Sequence, residues 1–272
     1  MMLSLQDLIN KIEGAGGSRY LRYALGLLAL VLVLVAYDLR AYRNMAAPEA
    51  MDAAQLARNI STGKGYTTQF VRPFSMFLVK RVNEQPGASD PSRIKAAHPD
   101  IANAPVYPVV LAGYMKLAPF KYSLTNAKTF WINGGRTRYQ PDFLITLFNQ
   151  VLFLALIVVV FFWARRLFDN AVAWTSALLL FGTELLWRFS ASGLSTMLLL
   201  LIFMGLVWCL TLLESEAREP KRGPAWLLIF AGASGLAVGV ACLTRYSMGW
   251  LIIPVVVFLI LFSGPRRIMV SL

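Results

Sequence analysis

The chain has 272 residues, 57% hydrophobic and only 15% charged, with a mean hydropathy of +0.59. That balance excludes a soluble globular domain and leaves the lipid bilayer as the solvent for most of the chain. The formal charge of +12 gathers in loops, where it fits membrane headgroups, and no nucleic-acid partner is expected. The apolar runs are continuous rather than alternating, so the expected fold class is all-α integral membrane and not a barrel.

Residues 1–20 place Leu5, Leu8, Ile9 and Ile12 on one helical face, with Asp7, Lys11 and Glu13 off it. This pattern predicts a cytoplasmic amphipathic helix lying on the membrane surface, ahead of a transmembrane module over 21–272. A small-residue cleavage site is lacking, so no cleaved signal peptide is expected. Residues 21–37 form the first predicted span, since about 20 apolar residues cross a bilayer.

A long, basic loop follows over about 38–141. Within it, 48–60 reads as a helix closed by Gly63 and Gly65, and 105–117 as a second helix. The second is too short to cross and is expected to lie in the outer leaflet as a juxtamembrane helix. Residues 85–99 read as a flexible connector, and Asn133 to Gly135 as a turn.

Five further runs complete six predicted spans: 143–164, 171–189 (which carries Glu184), 194–213, 225–242 and 249–262. With this count Arg165 and Arg166, then Arg218, Lys221 and Arg222, then Arg266 and Arg267 all fall on the side of Lys11, Arg19 and Arg22. The positive-inside rule then puts both termini in the cytoplasm and the long loop outside. Cys209 and Cys242 sit near opposite ends of neighbouring predicted spans, too far apart to bridge, and read as core residues.

In the long loop, Glu49 and Asp52 share one face of the first turns of a helix, where the dipole favours carboxylates. A cap and a solvated neighbour would explain the same pair. Glu184 and Arg188 are spaced as an ion pair, either functional or structural. His98, the sole histidine, lacks the companions of a metal site and reads as a loop turn, with substrate contact as the alternative.

The order of these pieces resembles the GT-C membrane glycosyltransferases, such as the protein O-mannosyltransferases, the lipid A aminoarabinose transferases and the catalytic subunit of oligosaccharyltransferase. The resemblance rests on the acidic stretch Glu49 to Asp52, Ala57-Arg58-Asn59 and the turn Gly63-Lys64-Gly65-Tyr66. It continues through Pro105-Val106-Tyr107-Pro108, Arg165-Arg166-Leu167-Phe168, Ser192-Gly193-Leu194-Ser195 and Leu243-Thr244-Arg245-Tyr246.

This resemblance implies a polyprenyl-phosphate-linked sugar donor, a loop carboxylate as general base and cations on the departing phosphate. Asp52 is the first choice for the base, and Glu49 the second. Arg58, Lys64, Arg72, Lys80, Arg81 and Arg245 are the cations that the resemblance offers to the lipid phosphate. Relatives that bind a metal carry an acid where this chain has Ala191 to Thr196, so no metal and no cofactor are expected. The bacterial inner membrane is the expected location, with membrane lipid as partner. The alternative is a non-catalytic membrane subunit on the same scaffold, joined to other membrane subunits, because fold alone does not fix activity.

Overall fold

A computed structural model of the chain describes residues 17–74, 77, 97–123, 130–133, 136–218 and 225–262. Residues 1–16 of the predicted surface helix, most of the 85–99 connector, Lys80 and Arg81 lie outside them. Two compact units are formed, Met1–Arg43 with Ile132–Arg136, and Asn44–Trp131 with Thr137–Leu272. In the first unit, helix α1 (Gly17–Ala41, 25 residues) occupies the first predicted span. A two-stranded ladder, β3 (Phe130–Asn133) with β4 (Arg136–Tyr139), of which only Ile132–Arg136 falls in the first unit, flanks the predicted turn, whose two glycines lie outside the described residues.

The remaining elements belong to the second unit. Helix α2 (Pro48–Ser61) starts on Pro48, whose missing N–H is no loss at a first position, with Glu49 in its first turn. Its end is tied off by the Ser61 and Thr62 hydroxyls, which donate to the Arg58 carbonyl at 2.8 and 2.9 Å. Gly63 and Gly65, at φ 77° and 75°, then turn the chain in a conformation that favours glycine. This returns it to β1 (Thr67–Thr68), paired antiparallel with β2 (His98–Pro99).

Helix α3 (Val106–Leu117) packs on α2. The small side chains of Ala50, Ala53 and Ala57 let the backbones approach, and Tyr107, Leu111, Ala112 and Met115 fill the seam with Met45 and Ile145. Leu111 is fully buried there, worth about 1.5–3 kcal/mol.

Among the described residues three helices are long and apolar enough to cross a bilayer: α4 (Gln140–Leu167), α7 (Thr196–Arg218) and α8 (Ala225–Thr244). Together with the apolar composition they make this an integral membrane protein. Helix α4 also carries Thr146, Asn149 and Gln150 fully buried on its inner side. α9 (Ile252–Phe262), preceded by a 3₁₀ turn over Tyr246–Leu251, packs with α7 and α8 around Leu206, Leu213, Leu227, Val238, Val255 and Leu259.

The predicted span over 171–189 is not one helix. It divides into α5 (Asn170–Gly182) and α6 (Glu184–Ala191) at Thr183, whose backbone is extended at ψ 105°. The Thr183 hydroxyl donates to the Leu179 carbonyl at 2.6 Å, and the Trp187 indole N–H to that of Phe181 at 2.6 Å. Those bonds satisfy carbonyls that an ending helix leaves free. Glu184 then opens α6 at an end where the dipole favours its charge.

Candidate functional site

A cavity of about 570 Å³ opens where six pieces of the second unit converge. Glu49 and Ala53 come from α2, Arg72 follows β1, and Asn103 precedes Tyr107 and Pro108 on α3. Phe189 reaches it from α6, Ser195 and Thr196 from the start of α7, and Thr244, Arg245 and Tyr246 from the end of α8.

Of the two loop carboxylates, Glu49 lines this cavity, whereas Asp52 is only 1% exposed and lies behind it. Each Asp52 oxygen is engaged. Oδ1 faces the Thr68 hydroxyl at 3.1 Å, and Oδ2 accepts from the Asn103 amide at 2.7 Å and forms an ion pair with Arg72. Gln55, one turn on from Asp52, accepts from the Gln69 N–H at 3.0 Å, so the Asp52-x-x-Gln55 pair grips the strand that leads to Arg72.

Asp100 flanks Arg72 from the other side at 3.6 Å and also caps its own turn, accepting from the Ala102 and Asn103 N–H groups at 3.0 and 3.2 Å. Arg72 therefore lines the cavity with its charge answered by two carboxylates. Arg245, by contrast, has no ion-pair partner among the described residues.

The main-chain carbonyl of Asn103 accepts from the Tyr66 hydroxyl at 2.9 Å and from the Tyr246 hydroxyl at 3.1 Å. Burial, and then the Asp100 carboxylate, push the Tyr66 hydroxyl well above the ordinary phenol range, which keeps it a donor. Tyr107 is buried, and burial alone pushes its hydroxyl up. Its hydroxyl donates to the Gly193 carbonyl at 2.8 Å and accepts from the Asn149 amide at 3.0 Å, which joins α3, α4 and the turn before α7.

The remaining predicted residues do not line the cavity. Arg58 lies over the Tyr122 ring, 4.2 Å from its centre, on a helix face about half a turn away from Glu49. Lys64 is exposed in the glycine turn. His98 is buried in the β1–β2 ladder, with neither ring nitrogen hydrogen-bonded among the described residues. Glu184 and Arg188 form the expected ion pair at 2.7 Å, with both side chains exposed.

Asn103 is the residue that sequence reasoning missed, since it belongs to none of the motifs that carry the resemblance. Tyr66, Tyr107 and Tyr246 stand inside those motifs, but nothing there marks their hydroxyls as partners of distant carbonyls.

A family model described as dolichyl-phosphate-mannose-protein mannosyltransferase matches residues 136–272, and the chain belongs to that family, which is of GT-C type. The match takes in Ser195, Thr196, Thr244, Arg245 and Tyr246, while Glu49, Asp52, Arg72 and Asn103 precede it. No curated protein and no solved structure matches the chain.

Proposed function

We propose that this member of the dolichyl-phosphate-mannose-protein mannosyltransferase family transfers a sugar from a polyprenyl phosphate to an acceptor hydroxyl, with Glu49 as general base. The observation that carries this reading is that Glu49 and the uncommitted Arg245 face one cavity. Three motifs of the GT-C resemblance, around Tyr107, Ser195 and Arg245, line its walls.

In the reaction Glu49 takes the acceptor proton as the acceptor oxygen attacks the anomeric carbon. The bond from that carbon to the phosphate oxygen breaks, and the lipid phosphate leaves with the electron pair. Arg245 answers the charge that develops on it, a contribution of the kind that usually dominates such steps. Asp52 is too enclosed to reach an acceptor and holds Arg72 in place, so the geometry favours Glu49 over Asp52, reversing the order drawn from the sequence. The protein sits in the bacterial inner membrane with both termini cytoplasmic and the cavity outside.

The test is transfer by the full chain in lipid nanodiscs, from a polyprenyl-phosphate sugar to membrane acceptors. Glu49→Gln is expected to lose about 10²- to 10⁴-fold in rate, and Arg245→Ala to weaken polyprenyl phosphate binding. Full transfer by Glu49→Gln would remove the catalytic assignment. Absence of transfer by the parent chain, together with co-purifying membrane proteins, would favour a non-catalytic subunit.

A further inference from the structure

Asn103 occupies an unusual place for a loop residue. Its amide N–H groups meet two carboxylates, Asp52 Oδ2 at 2.7 Å and Asp100 Oδ2 at 2.6 Å. Ionised carboxylates only accept, so this neighbourhood fixes which way round the amide stands. The same residue presents its main-chain carbonyl to two phenols, Tyr66 at 2.9 Å and Tyr246 at 3.1 Å. Tyr66 belongs to the segment just after α2. Tyr246 lies 143 residues away from Asn103, directly after Arg245.

We infer that Asn103 is the positioning residue of the cavity: it ties the Arg245–Tyr246 turn to helix α2 and so sets the spacing between Arg245 and Glu49. The inference rests on the roles of Glu49 and Arg245 proposed above. Its physical basis is that Arg245 stands at the end of α8 in extended backbone, φ −154° and ψ 114°, where the helical ladder no longer fixes the path of the chain. The Tyr246 hydroxyl carries this turn across to the loop ahead of α3. Asp52 and Asp100 hold the far end of the same strut. A base and a phosphate contact carried by separate elements need such a strut, because a displacement of about 1 Å can cost as much as 10²-fold in rate.

Tyr246→Phe is the sharpest test, since it removes one hydroxyl and keeps the ring and the Arg245 and Glu49 side chains themselves. The turnover number is expected to fall about tenfold, within the range that misplacement produces. Affinity for polyprenyl phosphate and the melting temperature should stay at parental values. A rise in donor KM with unchanged turnover would overturn the inference, because Tyr246 would then be only a ligand contact.

A second measurement does not depend on activity. Spin labels at Lys64→Cys and Trp250→Cys, in a Cys209→Ser, Cys242→Ala background, report the distance from the end of α2 to the turn after Arg245. Tyr246→Phe and Asn103→Ala are expected to broaden that distance distribution, and an unchanged width would overturn the strut. If the parent chain transfers no sugar but the width broadens, the proposed function fails and the strut stands. Transfer with neither turnover nor width altered sinks the strut alone.

Discussion

Arg72 closes on the Asp52 carboxylate from 20 residues further along the chain, with its own side chain 28% exposed and that of Asp52 only 1%. The pair therefore stands at the boundary between a buried acid and the cavity. Gln55 and Thr68 reinforce it by holding the intervening strand to α2.

Stability and activity should separate at these two acids. Asp52→Asn keeps the volume but turns an acceptor into a mixed group facing the donors of Arg72 and Asn103. A loss of about 1–3 kcal/mol is expected from the unsatisfied groups, read as a lower melting temperature in detergent. Partial exposure of Arg72 limits the loss. Glu49→Gln, on the exposed first turn of α2, should leave the melting temperature unchanged while transfer collapses. A variant Asp52→Asn as stable as the parent would contradict the ion-pair account.

Much of this architecture was legible in the chain because hydropathy and punctuation act locally. Pro48, Gly63 and Gly65 bracket α2, and apolar length marks α4, α7 and α8. The break at Thr183 was hidden: residues on both sides are apolar, and what decides it is the side-chain bonding of Thr183 and Trp187 to freed carbonyls. The difference in burial between Glu49 and Asp52, on which the proposed roles rest, was also out of reach. It depends on Arg72, Asn103 and Thr68, which enter only after the chain folds back. Asn103 stands in no motif, and its role depends on Tyr246 arriving from the end of α8.

Gly193 is the glycine whose replacement should cost most. Its φ is +77°, and an added Cβ would lie 2.3 Å from the Met45 sulfur and 3.3 Å from the Ala50 Cβ. Gly193→Ala is expected to destabilise by about 1–3 kcal/mol through the left-handed backbone, with overlap on Met45 added to it. The double variant Met45→Ala with Gly193→Ala should recover only the overlap part. Thermal unfolding of the three variants checks this, and a neutral Gly193→Ala would show that the turn can relax.

The Glu184–Arg188 pair should matter little. Both side chains are 71% exposed and four residues apart on α6, the outer part of its expected crossing, where water at the headgroup level is expected to screen the attraction. Such pairs contribute about 0.3–0.5 kcal/mol. Glu184→Gln is expected to leave the melting temperature within about 1 °C of the parent, since a 1 kcal/mol change moves a protein of this size by only about 2–4 °C. Transfer should be unchanged as well. A clear loss of transfer with intact folding would instead give the pair a functional role.

The second unit should cross the membrane an odd number of times, with the break at Thr183 inside one of the crossings. Helix α4 begins beside Asn44, whose side chain accepts from the Tyr139 N–H at 3.0 Å, and it ends 28 residues on at Leu167. The chain must then come back, because Gly193 stands against Met45 and Ala50, and Ser195 lines the same cavity as Glu49. The return is expected to be made by α5 and α6 together, with the break dividing one crossing rather than abolishing it. Helix α7 leaves from Thr196, and α8 delivers Thr244 and Arg245 back to the cavity. Four crossings are then expected for 140–244 and a fifth for α9, which with the first predicted span gives the six expected from the sequence. The basic ends Arg165, Arg166 and Arg218 then share the cytoplasmic face, as the positive-inside rule requires. In intact cells, a membrane-impermeant maleimide is expected to label Lys64→Cys and to miss Arg166→Cys and Arg218→Cys until the membrane is opened. Labelling of Arg166→Cys from the same side as Lys64→Cys would mean that α4 does not cross, and the six-span arrangement would fall with it.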